Sequence, residues 1–403
     1  MSAREDKQTF PRPIDAATVR KSPFEDRPLK SVVMVVANPC DPDWRVMKEA
    51  RTLAEAGFEV TILAWDRDGT RVPEATVGDA KFLRIRSPYV HGPASISRRV
   101  IDTLRFWRKA VSTSNPLNPE IVHCHDLLTL PVGVFLTIGR RRRRLVYDAH
   151  EVYWLMFQPI WPRPLIWLAR AVEKILLRFV SRVITVSDLA TPLLATSSQI
   201  TVIGNWYDPF DQDIEAGTSL RAQLRIPEST FCIGCVGSLD PRRLISLLVA
   251  YATRYPDTAV IVAGRGSCEA RLREAAATIS NLHFLGWQPD PTPIYSAVDA
   301  LFYGSAADPY GRISSPNTLF LAIAMKIPLI TTDVGEAAAV ISSSGGGVVL
   351  KAESPLALRD AIETMSSAGT MQRMMSALEG IQSRYRWAEA RHRLLDLYEG
   401  IRY

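Results

Sequence analysis

The sequence predicts an α/β protein made of two doubly wound, Rossmann-like domains that face each other across a cleft. Three observations predict it. Apolar runs of strand length alternate with amphipathic runs of helix length. The alternation occurs twice, with a break around residues 206–230. Glycines, arginines, histidines and aspartates stand directly after the strand runs, where folds of this class bind ligands.

The first set opens with SVVMVVA (31–37), apolar on both faces as a buried parallel strand must be. WRVMKEARTLAEAG follows as a helix ending at Gly57, then FEVTILAW as a second strand. KFLRIRS, EIVHCH, RLVYDAH, RVITVS and ITVIGN continue the strands, with helices expected near 97–113, 128–139 and 164–179. YDPFDQDIEAGTSL is acidic and polar and reads as a linker. The second set runs FCIGCVGS, helix 243–254, TAVIVAG, helix 268–278, LHFLG, DALFYG, a helix from the Ser-Pro-Asn of 315–317, IPLITTD and GGGVVL. Helices close the chain. The expected units are a disordered, charged and proline-rich segment 1–28, domains at 29–206 and 207–385, and a closing helix within 386–403.

Composition narrows the function classes. The chain has 403 residues, 47% of them apolar and 22% charged, enough for two large cores. A net charge of +6 is basic without the profile of a dedicated nucleic-acid binder. The five cysteines are odd in number and scattered, as in a reducing compartment. The C-x-x-C of Cys232 and Cys235 falls inside a strand, without a second pair at zinc spacing. No secretory signal and no spanning apolar stretch are visible, so a cytoplasmic location is expected.

Several loops carry candidate chemistry. GSLDPRRL brings Gly237, Ser238, Arg242 and Arg243 to a strand end, and GRGSCEARL brings Gly264 and Arg265 to the next. Glycine admits a ligand close to the backbone, and the arginine fork matches phosphate. Ser315 is placed to cap the following helix and Pro316 to occupy its first position, leaving N–H groups for an anion. In the first domain, IVHCHD places His123, His125 and Asp126 at one strand end. VYDAHE places Asp148, His150 and Glu151 at another. Histidine suits sugar hydroxyls or proton handling near neutral pH. H-x-H is also a conceivable zinc pair, but no third ligand is evident, and His123 is equally readable as core.

Over residues 31–400 the order of these pieces resembles the retaining, nucleotide-sugar-dependent glycosyltransferases of the GT-B fold, a family with many bacterial capsule and lipopolysaccharide enzymes. The pieces are DPDWRVMKEARTLAEAGFEVTILAW, IVHCHDLLTLPVG, RLVYDAHEVY, RVITVSDLA, VGSLDPRRL, VAGRGSCEARL, LHFLGW, SSPNTLFLAIAMKIPLITTD and RWAEARHRLLDLYE. The resemblance implies a donor diphosphate on the second domain, UDP- or GDP-linked, with no cofactor and no metal. It places Arg243 on the leaving diphosphate and His150 on the donor sugar. Gly237, Ser238, Arg242, Gly264, Arg265, Ser315, Pro316, Asn317, Thr318 and Leu321 then belong to the donor site. Asn38, Arg45, His125 and Asp126 fall on the acceptor side, facing a glycan or lipid-linked acceptor. The closing helix is expected to pack back toward the first domain. The anomeric centre is expected to be retained, by same-face displacement.

The chain departs from the family pattern S-x-P-N-K-L-F-E-A-M-A-x-G-x-P-V. Leu321 stands for the Glu that binds ribose hydroxyls, Thr318 for the Lys and Lys326 for the Gly. Ile313 stands for the partner Glu, and Ser238 for a frequent Arg. Arg242, Arg265, Arg312, Asp308 or Glu336 are nearby substitutes. These losses keep open a non-catalytic partner protein, and the shared architecture keeps open a nucleotide-sugar epimerase. Finally, the run Arg140 to Arg144 and the tryptophans Trp154, Trp161 and Trp167 suggest docking on an anionic membrane, at the inner face of the plasma membrane.

Overall fold

The structure is a computed structural model that describes residues 31–40, 43–77, 79–87, 96–158, 161–194, 198–367 and 369–401. The segment 1–28 expected to be disordered lies outside the described residues.

The first domain is built on an eight-stranded sheet: β1 (Ser31–Val36), β2 (Glu59–Asp66), β3 (Glu74–Val77), β4 (Ala80–Arg86), β5 (Ile121–His125), β6 (Arg144–Ala149), β7 (Arg182–Thr185) and β8 (Gln199–Val202). Their spatial order is β3-β4-β2-β1-β5-β6-β7-β8. All neighbours are parallel except β3, which pairs antiparallel with β4 at the edge. The sequence reading missed β3, because a four-residue polar strand at an edge buries too little to show a period. Helices α1 (Trp44–Glu55), α2 (Ile96–Ser114), α3 (Leu130–Thr137), α4 (Tyr153–Met156) and α5 (Arg163–Leu176) cover the two faces. Asp43 accepts from the Val46 N–H at 3.3 Å and starts α1.

The second domain holds β9 (Cys232–Ser238), β10 (Ala259–Arg265), β11 (Leu282–Gly286), β12 (Ala300–Tyr303), β13 (Leu329–Thr332) and β14 (Gly347–Leu350), ordered β11-β10-β9-β12-β13-β14 and all parallel. Its helices are α6 (Ile214–Gln223), α7 (Ile245–Arg254), α8 (Glu269–Ala276), α9 (Thr292–Ala297), α10 (Asn317–Met325), α11 (Gly335–Ser344), α12 (Pro355–Ser366) and α13 (Thr370–Ile381). The helix α6 corrects the second half of the linker reading of 207–220: residues 207–213 are irregular, whereas 214–220 are helical. The acidic run that read as linker supplies its cap, Asp213 accepting from Ala216 N–H at 2.9 Å. Arg221 then fixes α6 to the domain through the Ala297 carbonyl and the Asp299 carboxylate, each at 2.7 Å.

The last helix, α14 (Trp387–Glu399), crosses back and packs on α1. Tyr398 hydroxyl lies 2.8 Å from His123 Nδ1, and Trp387 Nε1 donates to Thr52 Oγ1 at 3.3 Å. One apolar core therefore runs through both domains, with Trp206 and Tyr385 edge to face at the junction. The inner face of α10 belongs to this core: Leu319, Phe320, Ile323 and Met325 are buried there, and Phe320 reaches Tyr385. The apolar composition of that helix follows from covering β12 on one side and α13 on the other.

Both sheets reverse strand order once, between β1 and β5 and between β9 and β12. Loops leaving these strands diverge there and open a crevice. Asn38, His125 and Asp126 leave the first reversal. Gly237 to Arg243 and the loop 304–316 leave the second.

Candidate active site

Four elements of the first domain converge on one buried charge network. Arg45, on α1, places Nε and Nη2 on the two oxygens of Asp148 at the end of β6, each at 2.9 Å. The same guanidinium donates to the Ile203 carbonyl at 2.8 Å and lies 3.2 Å from Glu49. Asp148 Oδ2 accepts from His150 Nε2 at 3.0 Å, and His125 Nδ1 lies 3.0 Å from that same nitrogen. His150 Nδ1 faces the Asp126 carboxylate at 3.8 Å.

This geometry assigns the protons. Burial pulls the His150 pKa down, but Asp148 and then Asp126 outweigh it and lift the value to about 10. His150 is an imidazolium at neutral pH, its Nε2–H shared between Asp148 and His125. His125 is shifted down by burial, which favours its neutral form, and its Nδ1 also lies 3.4 Å from Asp148 Oδ2. Burial works against the Asp148 charge, yet Arg45 and then His150 hold it well below the ordinary carboxylate range. Glu49 takes the opposite course: burial and the neighbouring Asp148 raise it to about 8.

His150, His125, Asp126 and Asn38 line a cavity of about 190 Å³, together with Asp43, Arg67 and Tyr153. Asn38 is held by Asp43, which accepts from Nδ2 at 2.8 Å, and by Cys40 N–H, which donates to Oδ1 at 2.7 Å. Arg45, expected on the acceptor side, is instead buried beneath the cavity with its guanidinium engaged by the network. His123 is fully buried against Tyr398 on α14.

The H-x-H pair does find further potential ligands. Glu49 and Asp148 come from α1 and β6, and their oxygens lie within 4.8 Å of the His123 and His125 nitrogens. A sequence scan could not see them, because the tertiary fold alone brings these elements together. Arg45 already pairs with both carboxylates, so a cationic centre occupies the set.

On the second domain Gly237 and Gly264 have φ of +140° and +144°. A Cβ on Gly264 would fall on the Gly237 carbonyl, so the strand ends approach this closely only with glycine at 264. Arg243 donates to the Tyr303 hydroxyl, which lies 2.9 Å from Ser314 Oγ. Arg242 pairs with Asp308 at 2.9 Å and crosses to the first domain, donating to the Met156 carbonyl at 3.0 Å. These two suggested substitutes for the missing donor contacts therefore engage each other. Arg265 is exposed and lies over the Trp287 ring at 4.6 Å. Ser238 is bonded to Asp240.

The start of α10 differs from expectation. Pro316 is extended and precedes the helix, which begins at Asn317 with no side-chain cap. Ser315 Oγ is buried without a hydrogen-bonding partner among the described residues, and so is Glu336 Oε2. The leading N–H groups of α10 are thus left without a side-chain acceptor. Thr318 is half-buried and Leu321 packs against the main core.

The sequence reading also missed Tyr310. It packs with Ile313 on the cluster of Val152, Trp154, Leu155 and Ile166 in the first domain. Its hydroxyl interacts with Glu151, whose pKa burial raises to about 7. The loop after β12 carries no periodic signal that would reveal this bridge.

The family described as Glycosyltransferase Family 4 matches residues 44–209, and the family described as Glycosyl transferases group 1 matches residues 230–367. Sucrose-phosphate synthase from Thermosynechococcus elongatus superposes with a TM-score of 0.74 at 18% identity, covering 92% of this chain and 99% of its own. This is a GT-B glycosyltransferase fold. Two further structures of this fold carry bound nucleotides. Anabaena HepE in complex with UDP-glucose has a TM-score of 0.70 at 16% identity, over 92% of this chain and 100% of that one. Starch synthase IV from Arabidopsis thaliana, bound to ADP and acarbose, has a TM-score of 0.63 at 15% identity, over the same shares. No curated protein sequence gives a significant match.

Proposed function

We propose that the chain transfers a sugar from a nucleotide-diphosphate donor to a glycan or lipid-linked acceptor, with retention at the anomeric centre. The observation that carries this reading is the pairing of two cationic arrangements across the cleft. His150 is held as an imidazolium on one side, and on the other Arg243 is bonded to Tyr303, whose hydroxyl reaches Ser314 ahead of the uncapped start of α10. A leaving diphosphate accumulates negative charge as its bond to the sugar breaks. Preorganised donors stabilise that charge without reorganising. In this reading Gly237 and Gly264 admit the diphosphate, Arg243 and the α10 N–H groups neutralise it, and His150 donates to the donor sugar. The acceptor enters beside Asn38, His125 and Asp126. Neutralisation rests on these groups without a metal ion, and the enzyme serves cell-surface polysaccharide or glycoconjugate synthesis in the cytoplasm.

A second reading is favoured by Ile313 and Leu321. Both replace carboxylates of the family pattern, and both are packed in apolar clusters. In that reading the chain is a partner protein that binds no donor.

A thermal-shift titration with UDP, GDP, ADP and their sugar conjugates separates the two. A ligand at 100 times its Kd adds about 2.7 kcal/mol of stability. A shift confined to one base supports transfer and names the donor class. A folded sample that shifts with none of them overturns it and supports the partner reading.

A further inference from the structure

We propose that the outer face of α2, α3 and α5 is a docking surface for an anionic lipid bilayer. The three helices lie side by side on one face of the first sheet, with α3 in the middle. Ten of the sixteen large apolar side chains exposed among the described residues sit on these helices and the residues just after them. Trp167, Leu168 and Ile175 project from α5, Phe135 from α3, and Ile101 and Leu104 from α2, each between 45% and 72% exposed. Such a concentration on one face of a water-soluble surface marks an interaction site.

Charge identifies the partner. Arg98, Arg105 and Arg108 on α2, Arg141 and Arg142 after α3, and Arg170 and Lys174 on α5 are all exposed. The three helices carry only two acids, Asp102 and Glu173, and both are buried. Asp102 is paired with Arg98 and Arg105, and Glu173 accepts from the Tyr147 hydroxyl. The exposed face is therefore apolar and cationic with no exposed acid. A bilayer with anionic headgroups satisfies both components at once, the side chains entering the acyl boundary while the guanidinium groups stay at the phosphates. A second copy of the chain would set like charges against each other. A nucleic acid would match the arginines and leave the Leu, Ile and Val side chains in water.

The surface is not the one expected from the sequence. Trp154 is buried in the cluster under α4, and Trp161 is half-buried and stacked on Phe157 at 4.5 Å. Arg143 and Arg144 turn inward, Arg143 onto the Leu136 carbonyl and Arg144 onto the Arg141 carbonyl. Arg140 remains exposed but caps α3 through the same Leu136 carbonyl. Of the three tryptophans only Trp167 faces outward.

The site lies close to this face. Leu128 lines the cavity, and α3 begins two residues later. A bilayer held on α2, α3 and α5 would bring a lipid-linked acceptor beside His125 and Asp126. That last step rests on the transferase reading, whereas the docking does not.

The test is co-sedimentation of the full chain with vesicles of phosphatidylcholine alone and with 30% phosphatidylglycerol, at low and high salt. The expected result is at least tenfold tighter binding to the anionic vesicles, weakened by salt. The double substitution Trp167→Ser, Leu168→Ser and the pair Arg141→Glu, Arg142→Glu should each reduce that binding at least fivefold while unfolding at the wild-type temperature. Equal binding to both vesicles overturns the proposal, as does anionic binding that both variants retain. So does a variant effect seen only on self-association in sedimentation, or only on binding of a single-stranded oligonucleotide. The vesicle assay contains no nucleotide, so its failure is separate from failure of the donor titration.

Discussion

Arg45 grips both oxygens of Asp148 through Nε and Nη2, each at 2.9 Å, inside a core that excludes water from both. This two-point contact fixes the carboxylate that in turn orients His150. The cavity histidine is therefore held from below by a residue that never reaches the cavity.

Removing the guanidinium leaves Asp148 charged and buried. Arg45→Met is expected to cost about 3–5 kcal/mol in urea unfolding, the usual cost of stranding a buried charge. Arg45→Lys should cost less, because charge remains while the fork is lost. A loss below about 1 kcal/mol for Arg45→Met would show that the pair carries little of the fold.

The same network sets a pH dependence. His150 rises from 6.5 to about 10 on folding, and Glu49 from 4.5 to about 8. Raised folded values mean that the folded state binds more protons, so both contributions are complete at low pH and fade as pH climbs through these windows. The Glu49 contribution is therefore lost between about pH 4.5 and pH 8 and the His150 contribution between about pH 6.5 and pH 10, each by no more than about 1.4 kcal/mol per pH unit. The lowered His125 below pH 6.5 and the lowered Lys48 between about pH 7 and pH 10.5 act in the opposite sense. Glu49→Gln should remove the loss between about pH 4.5 and pH 8, and His150→Gln the loss between about pH 6.5 and pH 10. Urea midpoints at pH 5.5, 7.5 and 9.5, taken as the difference between wild type and each variant, read this directly, and a wild-type advantage that grows with pH would contradict the assignment.

Arg243 tests the diphosphate site. Arg243→Ala should lower kcat by about 10²–10³ while the donor KM changes little, as for a donor that acts mainly on developing charge. Arg243→Lys should recover part of the loss. An Arg243→Ala enzyme that keeps its kcat and raises only KM would move Arg243 from catalysis to plain binding.

Leu321 tests whether the donor pocket has been rebuilt. It packs against the core that holds Phe320 and Ile323, so a carboxylate there is expected to be unfavourable. Leu321→Glu should weaken binding of every nucleotide sugar in an isothermal titration. Tighter binding of any one donor would mean that the position still accepts a ribose hydroxyl.

Much of the architecture was legible from local signals. Doubly apolar runs such as 31–37 and 259–264 can only be covered strands, and glycines after β9 and β10 mark close approach. The interruption near 206 also marks a real change of sheet. What the local signals misread was the second half of the acidic stretch, where Asp213 caps a helix and 214–220 are helical. They also misread the start of α10, where Pro316 precedes the helix and Ser315 makes no capping bond.

The sequence by itself determined which residues stand at the strand ends, because strand and helix periods are local properties of the chain. Only the tertiary structure decided what those residues do to one another. Arg45, Glu49, His125, Asp148 and His150 come from three elements, and their protonation depends on distances and burial that no periodicity encodes. The same holds for the outer face of α2, α3 and α5. Its acids are present in the sequence, but only folding turns Asp102 and Glu173 inward and leaves the arginines and apolar side chains outside.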